Sequence, residues 1–123
     1  MRIEGMLPTY LTQRPDGAVG EVELTADFTA ALAILPDDPS LYFDLSEEHL
    51  LIPLEHLVNA RARERGIVNA NRHMLAAANG GQERRKPLTV RALSDELWLV
   101  VDGNSTLLNA RYSNWRAVPC RTK

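Results

Sequence analysis

The residues with the most chemical content lie in one short run, Asp102-Gly103-Asn104-Ser105-Thr106. A β-rich stretch precedes it and a helical stretch follows, so the run is a turn that opens a helix. Gly103 permits the tight geometry. Asn104, Ser105 and Thr106 bring amide and hydroxyl groups to a helix start, where free N–H groups and the positive end of the dipole favour an anion. Phosphate binding is one reading of this pattern, and ordinary N-capping is the other, because Asn, Ser and Thr are also the usual caps. Asp102 can orient a metal-bound water or a hydroxyl, or simply hold the turn through nearby backbone N–H groups. Positive charge for a phosphate would come from Arg61, Arg84, Arg85 and Lys86 if the fold brings those loops to the turn, although basic triplets are also common on solvated loops.

No other constellation competes with this one. His49, His56 and His73 have no cysteine in ligand spacing, so no metal site is read from the sequence. Cys120 is the single thiol, which excludes an internal disulfide. No run of about 18 apolar residues occurs, and Glu4 and Pro8 interrupt the start, so the expectation is a cytoplasmic chain with no membrane partner. Trp98 and Trp115 lack the aromatic alternation of a base-stacking platform and are expected to pack in or over the core.

Charge is unevenly spread. Residues 1–55 hold 11 acids against 2 bases, and residues 56–123 hold 5 acids against 12 bases. Either the basic half meets phosphate, or the two halves complement each other within a domain or between subunits.

The elements that must position the turn follow from periodicity and punctuation. With 123 residues, 45% apolar and 24% charged, the chain suits a single domain with one hydrophobic core. Residues 21–24 alternate as a strand, and Phe28, Ala31, Leu32 and Leu35 share a helical face over 26–35 that stops at Pro36. Leu41-Tyr42-Phe43 reads as a short strand and Leu50-Leu51-Ile52 as a buried one. Pro53 suits the first position of a helix over 53–62. A further helix spans 68–79, with Asn71, Met74, Leu75 and Ala78 on one face and Gly80-Gly81 as its stop. Residues 88–93 and 96–101 form a hairpin, residues 104–112 a helix, and residues 117–120 a last strand whose Pro119 suits an edge or an end. The expected fold is α+β, a small mixed β-sheet with surrounding helices, in which an acidic extension over residues 1–49 packs on a core of residues 50–123.

The order of motifs over about residues 50–120 resembles the ParB/sulfiredoxin-like superfamily. Its second half typically reads strand, a DG-x-x-R turn, a helix ending near a Gly or Trp, then a strand with a Val-Pro or Pro-Val pair. The counterparts here are Val100-Val101-Asp102-Gly103-Asn104-Ser105-Thr106, then Ala110 and Trp115, then Val118-Pro119-Cys120. Upstream, Ile52-Pro53-Leu54 with Leu57 and Asn59-Ala60-Arg61 is similar to the family's opening strand and Asn-Pro-Arg element, and Lys86-Pro87-Leu88-Thr89-Val90 to its Pro-led strand. The resemblance implies a nucleotide or phosphate ligand at residues 102–106, with Mg²⁺ as the accompanying ion. The family's chemistry does not carry over intact. The ParB turn follows its Gly with an acid and two Arg, and sulfiredoxins follow it with Cys, His and Arg, whereas Asn104, Ser105 and Thr106 occupy those positions here.

The leading expectation is therefore a nucleotide- or phosphate-binding domain with its ligand at Asp102, Gly103, Asn104, Ser105 and Thr106, assisted by Arg61, Arg84, Arg85 and Lys86, with catalysis left open. The alternative is a non-enzymatic interaction module that has lost the phosphate-handling Arg residues and uses its charge split for self-association or a protein partner. Nucleic-acid binding or nuclease action is a third reading, motivated by the basic half and opposed by the acidic pI of about 5.9.

Overall fold

A computed structural model describes residues 9–13, 16–23, 32–60 and 64–122. Among these residues, seven strands form one mixed sheet in the order β2-β1-β4-β6-β5-β7-β3. They are β1 (Thr9–Gln13), β2 (Val19–Glu23), β3 (Leu50–Pro53), β4 (Leu57–Asn59), β5 (Leu88–Ala92), β6 (Trp98–Asp102) and β7 (Ala117–Thr122). Two α-helices lie among the described residues, α1 (Glu64–Ala78) and α2 (Asn104–Tyr112). The α+β class with a mixed sheet is as the sequence led one to expect.

The expected hairpin is β5 antiparallel to β6, closed by the Leu93 and Ser94 N–H groups donating to the Leu97 carbonyl at 2.9 and 3.2 Å. The next connection is α2, which keeps its expected bounds and has every residue buried except Ser105. Leu107 and Ala110 of α2 meet Val90, Val100 and Val118 of the sheet, while Leu108 and Tyr112 cluster with Ile67 of α1. Burial of such side chains supplies the main stabilising force, at roughly 25 cal/mol per Å² of apolar surface removed from water.

Several expected elements differ. Pro53 closes β3 instead of opening a helix, Leu54–His56 is one 3-10 turn, and Leu57–Asn59 is a strand parallel to both β1 and β6. All three β4 residues are buried, so this interior strand has no polar alternation to separate it from a helical face. The β3 strand is also less buried than its apolar run suggested, with Leu50 and Leu51 53% and 61% exposed on the sheet edge. In place of a strand at residues 41–43, Asp38 caps a 3-10 helix, Pro39–Leu41, and Phe43 makes a single parallel bridge to Arg85.

Residues 26–31 of the expected 26–35 helix lie outside the described residues, and residues 32–36 have no regular structure. That second segment is fixed by side chains. The Asn71 carboxamide accepts from the Ala33 N–H at 3.1 Å and donates to its carbonyl at 2.9 Å, and Ser113 Oγ accepts from the Leu35 N–H at 2.9 Å. Leu35, Tyr42 and Phe43 enter the same core cluster as Val118. Tyr42 stacks on Trp115 with ring centroids 5.1 Å apart, and the Trp115 indole donates to the Leu35 carbonyl at 2.7 Å.

Helix α1 starts four residues before the expected 68, and it stops where Gly80 takes φ +79° and the Gly81 N–H bonds back to Ala76 at 2.8 Å. Its inward face is Ile67, Ala70, Asn71, Met74 and Ala77, whereas Leu75 is exposed. Pro119 sits in an interior strand, but β5 pairs with β7 only from Cys120 onward, so the proline's missing N–H breaks no bond on that side.

Candidate functional site: the turn between β6 and α2

Gly103 joins β6 to α2 with φ +101°, a conformation that L side chains adopt at a cost. A second constraint coincides with it, because a Cβ at this position would stand 2.7 Å from Leu88 Cγ. The β5 strand therefore presses directly on the turn, and the close approach forms the wall of a recess. That recess has a volume of about 180 Å³ and is lined by Arg85, Lys86, Pro87, Leu88, Asp102, Gly103 and Thr106.

Arg85 is the central cation. Its backbone is locked by its N–H donating to the Tyr42 carbonyl at 2.8 Å and its carbonyl accepting from the Asp44 N–H at 2.7 Å. Its Nη1 donates to the Thr106 hydroxyl at 2.8 Å, whereas Nε is buried with no hydrogen-bond partner among the described residues. Burial lowers the guanidinium pKa and the nearby Asp102 carboxylate partly offsets this, but the group stays charged at neutral pH. A cation in this environment has unused hydrogen-bonding capacity beside a helix N-terminus.

The sequence-derived residues divide into three groups. Asp102, Gly103, Thr106, Arg85 and Lys86 are brought together around the recess. Asn104 lies beneath it and faces inward: its Nδ2 donates to Val100 at 3.1 Å, and its Oδ1 accepts from the Ala60 N–H at 2.8 Å and from Asn59 Nδ2 at 3.1 Å. That carboxamide is committed to the fold and reaches no ligand. Ser105 is half-buried and Arg84 exposed, neither of them lining the recess, and Arg61 lies outside the described residues. Lys86 leans away from the turn toward Asp44 at 3.3 Å and Glu47 at 3.8 Å. Hydrogen bonds from Ser46, and then from Lys86, hold the Asp44 carboxyl down to about 2.

Three buried polar residues complete the surroundings, and Arg111 is the one that pattern reading passed over. Asn59, Asn109 and Arg111 are buried polar groups, and Asn109 bridges α1 to α2 by donating to Ile67 at 3.0 Å and accepting from Asn71 at 2.8 Å. An asparagine ending the apolar run Leu57-Val58-Asn59, and Asn109 one turn beyond Ser105 and Thr106 on the polar face of the following helix, are the sequence signals for this network.

Among the described residues, no group of three or more His, Cys, Asp or Glu is placed to hold a metal ion. His49 and His73 each contact a backbone carbonyl, of Glu47 and Glu83 respectively. Cys120 is buried, and burial pushes its thiol up to about 12, so it is not a nucleophile at neutral pH. No helix among the described residues is long and apolar enough to cross a membrane. No protein-family model matches the chain, and no curated protein matches it.

Proposed function

We propose that the chain binds the phosphate of a nucleotide, with Mg²⁺, at the recess between Arg85 and the start of α2, as its similarity to the ParB/sulfiredoxin-like superfamily implies. The observation that carries this reading is the Arg85 guanidinium, half-buried in the wall of the recess and bonded to the hydroxyl of Thr106 at the start of α2. Thr106 stands where the family's turn has an arginine. A guanidinium supplied from the loop before β5 offers the same charge from another direction.

At about 180 Å³ the recess takes one phosphate group and a few waters, at roughly 30 Å³ each, so the base and sugar of a nucleotide would lie outside it. Asp102 is the carboxylate at its mouth, and a single carboxylate together with phosphate oxygens and waters suits Mg²⁺. The reading concerns binding alone.

The test is a thermal-shift panel of ATP, ADP, CTP and GTP with and without Mg²⁺ on the unmodified chain and on Arg85→Gln. A stabilisation that Arg85→Gln abolishes supports the reading, and equal stabilisation of both chains refutes the site. Gly103→Val does not serve as the control, because its φ and the Leu88 contact make it a perturbation of folding.

A second reading, a protein-interaction module, is favoured by the exposed Leu50 and Leu51 on edge strand β3. It predicts that sedimentation shows self-association which Leu51→Lys abolishes. A strict monomer with no bound protein partner opposes it.

A further inference from the structure

A different part of the molecule holds a second unusual cation. Arg111, in the last turn of α2, is only 9% exposed. Its Nη2 donates to the Leu57 carbonyl at 2.6 Å and its Nε to Asn59 Oδ1 at 3.3 Å, and its guanidinium carbon lies 5.8 Å from the centre of the Tyr10 ring. These partners are neutral, and no carboxylate among the described residues is within ion-pair distance of it. The carbonyl end of the helix dipole adds a partial negative charge. A buried cation is normally paired with a full charge, whereas among the described residues this one meets only neutral dipoles.

Arg111 also lines an open cavity of about 730 Å³, bounded by Tyr10, Leu11, Leu54, Trp115 and Ala117 among others. That volume lies within the roughly 300–1,000 Å³ typical of small-molecule sites, and apolar and aromatic walls around one placed polar group are their usual make-up. Glu21, Glu55 and Arg116 also line the cavity, and all three are exposed. The cavity shares no lining residue with the recess at Gly103.

From this geometry we infer that the cavity is a separate binding site for a small organic anion with a flat apolar body, its carboxylate or phosphate meeting Arg111 and its body lying between Tyr10 and Trp115. Arg111 already spends two of its N–H groups on Leu57 and Asn59, which hold the guanidinium plane in place before the ligand arrives. Burial lowers its pKa to about 10, which leaves it charged at neutral pH. Because Arg111 is itself largely buried, its pairing with a ligand anion would be stronger than one made at the surface.

The experiment is an NMR titration of the ¹⁵N-labelled full chain with phenylacetate, phenyl phosphate and benzyl alcohol, following the Arg111 side-chain N–H and the Trp115 indole N–H. Saturable shifts with either anion, and none with the neutral alcohol at the same millimolar concentrations, are expected. The stronger anion identifies the headgroup as carboxylate or phosphate. Arg111→Met is expected to weaken the preferred probe by at least about tenfold. Should that variant not fold, Ala117→Phe, which places a ring on the cavity wall, must weaken the shifts. No saturation with either anion, equal binding of the alcohol, or full binding by Ala117→Phe would overturn the assignment, including the case in which the chain's own residues fill the cavity.

Discussion

The side-chain amide of Asn59 donates to both oxygens of Asn104, at 3.1 Å to the carboxamide and 3.2 Å to the main chain. This pair ties the interior strand β4 to the first residue of α2, and neither side chain reaches solvent to an appreciable extent. The same Asn59 accepts from Arg111, so one asparagine serves both ends of the helix.

Replacing Asn104 with Ala leaves the Ala60 N–H, the Val100 carbonyl and the Asn59 amide short of a partner. The expected loss is about 2–4 kcal/mol of unfolding free energy, since each buried unsatisfied group costs roughly 1–3 kcal/mol before relaxation. Urea denaturation measures it, and a loss within experimental error would mean that the network is replaced by water.

Two glycines separate strain from crowding. Gly17 and Gly103 both have positive φ, but a Cβ at Gly17 meets nothing within 4 Å, whereas one at Gly103 meets Leu88. Gly17→Ala is expected to cost about 1 kcal/mol from backbone strain. Gly103→Ala is expected to cost about 2–4 kcal/mol, because overpacking is added to strain. Equal costs in parallel denaturant titrations would show that β5 yields to the new methyl group.

The Asp44 carboxyl is expected to titrate near 2, followed through its ¹³Cγ resonance. Its folded pKa is depressed, so its contribution to stability is present above the ordinary carboxylate range and is lost as pH falls through about 2. Ser46→Ala, which removes the hydroxyl bond and keeps the main-chain one, should raise that pKa, since the Ser46 hydroxyl is the largest single influence. An unchanged pKa would assign the shift to the main-chain bond and the ion pair.

Cys120 has its folded pKa raised from 9.0 to about 12, so the native state prefers the neutral thiol. Its contribution to stability is complete below pH 9 and is lost as pH rises from there toward 12. A Cys120→Ala chain should therefore show a flatter alkaline limb, and thiol-reagent labelling of the unmodified chain at pH 8 should track global unfolding. Rapid labelling of the folded chain would contradict the burial.

The legible parts of this fold were those with local causes. Gly103 followed by three capping residues marked the start of α2, Gly80 marked the end of α1, and β-rich runs on either side of Ser94-Asp95 marked the hairpin. What was hidden depends on partners far away in sequence. Leu57-Val58-Asn59 is a strand because β1 and β6 flank it, and Ala33 is held straight by Asn71 where its own neighbourhood suggested a helix. The meeting of Arg85 with Thr106 spans 21 residues and has no local signature, although both residues were singled out separately. Asn104 illustrates the opposite limit, because its type suited a ligand site while its buried position uses it for cohesion.

The position of β7 bears on how the chain can be made. Its residues pair with β5 on one side and β3 on the other, and among the described residues β3 has no other neighbour, with Leu50 meeting Cys120 and Pro53 meeting Ala117. Such non-local closure raises contact order, which slows folding. During synthesis, Leu50-Leu51-Ile52 must wait as an unpaired apolar strand until the end of β7 has left the ribosome, and this interval is when the nascent chain is most open to aggregation.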